Sequence, residues 1–172
     1  MRLSGILVLF AVCLFLEPQA LAIEAWIAGG QLGASGVQTG TGLPSFGGGI
    51  GFGVDLGLKN NPAVDVTLSI QRAADSGGVG LTSGLVTADL HILEYNDFEI
   101  SFGAGPGLYM FGQTSGTQTN FGLQLGPNVD VIIHESIRIG IAAREHFLFT
   151  TAGVGGLWGF TMRVAYLFGS SP

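Results

Sequence analysis

Val64-Asp65-Val66-Thr67-Leu68-Ser69-Ile70-Gln71 has an aliphatic residue at every even position and a polar one at every odd position. A helix would scatter these side chains around its circumference. An extended strand sends all four aliphatic groups to one side and Asp65, Thr67, Ser69 and Gln71 to the other. The same rhythm returns near the end of the chain. Trp158, Phe160, Met162, Val164, Tyr166 and Phe168 alternate there with Gly159, Thr161, Arg163 and Ala165.

Working outward from these two stretches, the alternation predicts strands at residues 23–30, 45–58, 63–72, 81–94, 98–111, 120–133, 137–149 and 157–168. Most reach the roughly 9–11 residues that a tilted strand needs to cross a bilayer. Short connections at 59–62, 95–97 and 134–136 alternate with longer ones at 31–44, 73–80, 112–119 and 150–156. Short turns at one end and longer loops at the other are the habit of barrels in an outer membrane, which predicts both termini at the periplasmic end.

Composition supports a membrane setting. Charged residues make up 10% of the 172, and hydrophobic ones 47%. An average soluble domain carries about 25% charged residues, so water-facing charge is scarce here. The apolar content excludes a disordered chain. Glycine is abundant but keeps no period of three, which excludes collagen. A net charge of −6 without a basic cluster argues against a nucleic-acid partner. After residue 22 no stretch has the composition of a membrane helix. A barrel that turns an apolar face to lipid and a polar face to its lumen reconciles these features. The alternative is a secreted, soluble, ligand-binding barrel with the apolar face inside.

Residues 1–22 read as a signal peptide: Arg2, an apolar run at 6–16, and the cleavage site Ala20-Leu21-Ala22. Cys13, the sole cysteine, lies within it, so the predicted mature domain, 23–172, needs neither disulfide nor thiolate metal site. On the apolar face, Phe46, Phe121, Phe149 and Trp158 fall near one set of strand ends. Phe98, Tyr166 and Phe168 fall near the other. Two aromatic girdles are expected where strands cross the interfaces of a bilayer.

With that pattern, residues 23–172 resemble the small eight-stranded outer-membrane barrels of the OmpA, OmpX and OmpW kind. The resemblance implies an all-β fold, an eight-stranded antiparallel up-and-down transmembrane β-barrel in the outer membrane of a Gram-negative cell. It implies outer-membrane lipid and lipopolysaccharide as surroundings, and a monomer. The last strand, Phe160-x-Met162-x-Val164-x-Tyr166-x-Phe168, resembles the C-terminal signal read by the outer-membrane assembly machinery, although Gly169-Ser170-Ser171-Pro172 follows the final aromatic. The resemblance rests on pattern and names no activity.

Alternation turns Glu24, Asp55, Asp65, Asp89, His91, Glu99, Asp130, Arg138, Arg144 and Arg163 inward. Isolated buried charges are costly, so this set is expected to pair into a plug of salt bridges. The acids outnumber the arginines, which leaves a gated pore or proton-linked path as the alternative. The inward glycines in the outer half predict room for Tyr109, Arg144 and other large lumen groups, against the sharper alternative of an open vestibule. Strict alternation puts Glu145 on the lipid face, where an ionisable residue is a functional candidate. A bulge near Ala142-Ala143 would instead turn it inward.

No metal-ligating or cofactor-binding constellation is present, since the three histidines are scattered. Some small outer-membrane barrels modify lipid A with a His and a Ser two positions apart. The nearest match, His134-Glu135-Ser136, falls in a turn at the end away from outer-leaflet lipid. The expected role is therefore non-catalytic: structural support, surface interaction or a narrow porin-like passage. A lipid A-modifying enzyme is the alternative.

Overall fold

The computed structural model describes residues 23–39, 42–44, 46–60, 63–75, 77–134 and 136–169. The expected signal peptide, Glu135 and the tail at 170–172 lie outside the described residues, as does the side chain of Glu24. Eight strands follow one another: β1 Ile23–Thr39, β2 Gly49–Asn60, β3 Val64–Asp75, β4 Gly80–Tyr95, β5 Phe98–Gln113, β6 Gly116–His134, β7 Ile137–Thr150 and β8 Gly153–Phe168. Each pairs antiparallel with its sequence neighbour, and β8 returns to pair with β1. Closure leaves no edge strand to template aggregation, and in hydrocarbon it satisfies the backbone between strands.

The register places the aliphatic face outside and the polar face inside. Ile50 is 74% exposed, whereas Asp65 is 3% exposed. Val66, Leu68 and Ile70 on β3 point out, and Thr67 and Ser69 point in. This inverts the soluble barrel, whose apolar side chains would fill the interior. Aromatic side chains mark both ends of the outer wall. Phe121 stacks on Phe149 with ring centroids 6.1 Å apart, and Tyr166 stacks on Phe168 at 6.3 Å. Trp26 and Tyr95 join the girdle at the end that carries the termini.

Phe46 departs from its expected place in the outer girdle. It is 2% exposed and lies inside the barrel mouth, edge-on to Phe111 with centroids 6.3 Å apart. The reason is that β2 begins only at Gly49, so alternation does not govern Phe46. Gly48, at φ +107°, turns the backbone just before the strand, a conformation that suits glycine.

Apart from β2, the strands are also longer than the alternation indicates. Thr114-Ser115 alone separates β5 from β6, and Thr151-Ala152 alone separates β7 from β8. The expected longer loops at 112–119 and 150–156 are mostly paired strand, and β1 runs on to Thr39. Beyond the apolar belt both faces of a hairpin meet polar surroundings. The backbone ladder then continues without any alternation to announce it. Of the expected long connections, the one between β1 and β2 remains the longest.

A narrow barrel brings each inward Cβ close to the wall beside it. At Gly105 on β5, a Cβ would collide with the main-chain carbonyl oxygen of Val86. At Gly84 a Cβ would meet open space. Gly105→Ala should therefore cost about 1–3 kcal/mol, the usual range for overpacking. Gly84→Ala should be close to neutral. Urea unfolding in lipid vesicles, read by the heat-dependent gel mobility of the folded barrel, checks the difference.

Candidate functional site

The register sets acids against one another across neighbouring strands. Asp65 on β3 stands directly opposite Asp89 on β4, and Glu99 on β5 stands opposite Asp130 on β6. Like charges in that position repel. The compensating arginines come from β7 and β8, and His91 of β4 joins them.

Nearest the termini, Arg138 reaches across the lumen. Its Nη1 donates to Asp65 Oδ2 at 2.8 Å, and its Nη2 lies 3.0 Å from Glu99 Oε2. His91 closes the ring between the same two acids, with Nε2 3.3 Å from Asp65 Oδ1 and Nδ1 against Glu99 Oε1. An imidazole facing carboxylates on both nitrogens donates to both only as the imidazolium. The four side chains bind β3, β4, β5 and β7 together through the interior. Beside them, Ala25 and Ile27 of β1 pack on Ala165 and Leu167 of β8.

A second charged layer lies above. Arg163 grips Asp130 through two nitrogens, the Nε at 2.8 Å from Oδ1, and its Nη1 lies 3.8 Å from Asp89 Oδ2. Arg144 Nη2 donates to Asp89 Oδ1 at 2.9 Å. Its Nη1 donates to the carbonyl oxygens of Gly126 and Pro127 at 2.5 and 3.2 Å, where the β6–β7 pairing skips past Pro127. Neutral side chains complete the layer. Asn128 donates to Asp89 and to Ser101, at 2.6 and 2.9 Å, and Gln124 donates to Thr87 at 2.6 Å.

Toward the other mouth, the Tyr109 hydroxyl bonds His146 Nδ1 at 2.7 Å. A Cβ at Gly107 or Gly122 would press on the Tyr109 ring, so these glycines make its room, as the inward glycine pattern predicts. Phe46, Leu81, Leu85, Phe111, Leu148 and Leu157 form an apolar cluster here, with Leu43 packed against it. Two hydrogen bonds hold the loop that delivers Phe46 to the wall, and a third braces it internally. Gln118 donates to the Gly42 carbonyl at 2.7 Å, Phe46 N–H to the Pro44 carbonyl at 2.7 Å, and Gly47 N–H to Asp75 at 3.2 Å. Between this cluster and the charged layers lies a cavity of about 70 Å³.

Of the inward charges expected from sequence, Asp65, Asp89, His91, Glu99, Asp130, Arg138, Arg144 and Arg163 meet in these two layers. Asp55 stands apart, taking a hydrogen bond from the Gln31 amide at 2.8 Å. Glu145 keeps strict alternation. The pairs Leu125↔Glu145 and Asn128↔Ala142 share one register, so no bulge at Ala142-Ala143 turns it inward. It stands beside Trp158 on β8. His134 ends β6 and Ser136 occupies the following turn. His91 and His146, the histidines within the wall, both have their rings engaged inside. Sequence reading missed the inward swing of Phe46 and the bonds made by Gln124 and Asn128. Parity placed those two amides inside, but nothing in the sequence named their partners across the lumen.

Removing one partner of a buried ionic ring strands the others. Arg138→Met should destabilise the barrel by about 3–5 kcal/mol. Adding Asp65→Asn and Glu99→Gln to the same chain should restore most of the loss. Urea midpoints of the parent, the single variant and the triple variant check this.

No protein-family model matches the chain, and no curated protein matches it. Solved structures do match in shape. Neisserial surface protein A shares 13% identity at a TM-score of 0.69, over 82% of this chain and 96% of that one. OprG from Pseudomonas aeruginosa, an outer membrane protein, shares 10% at a TM-score of 0.61, over 84% and 96%. The N-terminal β-barrel domain of OprF from Pseudomonas aeruginosa shares 16% at a TM-score of 0.59, over 81% and 97%. Identities this low carry the fold and no more. The chain has the closed eight-stranded antiparallel fold of the small outer-membrane barrels.

Proposed function

We propose that the protein is an integral outer-membrane barrel with a non-catalytic role, its lumen closed by its own side chains and both termini in the periplasm. The observation that carries the closed lumen is the ionic network from Asp65 to Arg163, which ties walls β3 through β8 together across the interior. An eight-stranded barrel has an interior that side chains are just able to fill. The apolar cluster around Phe46 adds a second closure at the opposite mouth. The aliphatic outer wall and its aromatic ends support a membrane position, and the shared fold supports the outer membrane in particular. The orientation draws support from the long β1–β2 connection at the end away from the termini.

In this reading the surroundings are outer-membrane lipid and lipopolysaccharide, and the strand Phe160–Phe168 guides insertion by the assembly machinery. Closure without a free edge favours a monomer. The role that remains is support of the envelope or surface interaction by the outer rim.

Two measurements test this. In planar lipid bilayers the protein should give no steady conductance, and reproducible open-channel steps would overturn the closed lumen. Trp26 and Trp158, the two tryptophans, both face outward. Lipids brominated on their acyl chains should quench their fluorescence strongly. Unquenched emission from a folded, vesicle-associated barrel would remove the membrane position.

A further inference from the structure

The lumen cavity has two unlike ends. Toward the charged layers it is bounded by Asp55, Asp89, Arg144 and Arg163, and toward the loop end by Leu81 and Leu85. Its volume of about 70 Å³ is room for about five waters. A smaller cavity of about 20 Å³ lies on the side nearer the termini, and Asp55, Thr67, Asp89 and Arg163 border both.

Charge is not balanced along this border. Arg163 is engaged two-pronged with Asp130, and Arg144 with Asp89. Three carboxylates thus share two guanidiniums. The one left over is Asp55, which has no cationic side chain within 4.0 Å among the described residues. Asp55 is 9% exposed. Its hydrogen-bonding neighbours are neutral, the Gln31 amide at 2.8 Å and Ser69 opposite it in the β2–β3 ladder, and Arg163 and Asp89 act on it from farther off with opposite sign. A buried carboxylate in this state is costly unless a cation or a proton joins it.

We propose that Asp55 anchors a lumen site for a small primary alkylammonium ion. An ammonium group offers three N–H donors. One suits the Asp55 carboxylate, and the acceptors near it, the Gln31 carbonyl oxygen and the Ser69 hydroxyl, suit the others. A short alkyl tail then points to Leu81 and Leu85, where an inorganic ion gains nothing. The apolar cluster around Phe46 covers this end. The site is independent of conduction, because an occupied cavity and a closed lumen are compatible. Open-channel steps in a bilayer would count against the closed lumen alone and leave this site standing.

The test uses the full mature barrel refolded in detergent, with n-propylammonium, ammonium and potassium chlorides as probes at equal ionic strength. Saturating n-propylammonium should raise the midpoint of heat-dependent mobility by on the order of 5 °C. Ammonium should do less, and potassium nothing. Asp55→Asn should abolish the shift and be at least as stable as the parent, since the amide needs no counter-charge. Equal shifts from potassium and n-propylammonium would overturn the proposal, as would a shift that persists in Asp55→Asn. Calorimetric titration of the folded parent needs no variant. Saturable heat with n-propylammonium supports the site, and its absence overturns it.

Discussion

The interior of this barrel answers to one electrostatic constraint: acids paired on adjacent strands must be neutralised by side chains of other strands. Asp65 faces Asp89 and Glu99 faces Asp130, and on the strands of these pairs only His91 of β4 stands against them, between Asp65 and Glu99, among the described residues. Arg138, Arg144 and Arg163 all come from the last two strands of the chain. The network is therefore completed only when β7 and β8 have docked and β8 has met β1. A partly assembled sheet would hold repelling carboxylates with no arginine to neutralise them. Closure and charge compensation are one event.

This arrangement says more about specificity than about stability. A well-packed apolar core of equal volume is often as stable as a buried ion-pair network or more so. A membrane barrel has a reason to avoid that solution, because an apolar interior and an apolar exterior would leave strand register nearly unmarked. A one-residue slip exchanges the two faces. With Asp65, Asp89, Glu99 and Asp130 alternating against aliphatic neighbours, such a slip would put carboxylates into hydrocarbon. The ionic lumen thus fixes which face is which, and the arginines limit the cost of doing so.

The wall was legible in the sequence because its two environments differ so sharply. Val64 through Gln71 alone reveals a strand between lipid and lumen, and Asp55, Asp65, Asp89, Glu99, Asp130, Arg138, Arg144 and Arg163 lie on the inner side to which their parity points. Glu145 kept its parity as well. The information runs out where only one environment remains. Thr114-Ser115 and Thr151-Ala152 join strands that continue past the apolar belt, and no alternation marks that continuation. Phe46 misled because its parity matched Ile50 while its backbone had left the strand. Pairing across the lumen was equally hidden. Parity states that Arg138 faces inward, but its choice of Asp65 and Glu99 depends on the stagger between walls, which no local pattern encodes.

The two ends of the lumen close by different physics, and that difference shapes what the interior can hold. Near the termini, Arg138 and His91 fix Asp65 and Glu99 in a ring with strong directional demands. At the loop end, Phe46 and Phe111 close the mouth by contact between side chains that can shift without stranding a charge. Motion therefore costs less at the loop end, where Gly42 and Gly48 both take positive φ on either side of Leu43 and Phe46. Between a rigid ionic floor and a softer apolar cover, a small polar cavity persists with Asp55 on its boundary. Filling that space with a larger side chain would also have required a partner for the carboxylate. The chain leaves both the space and the charge in place.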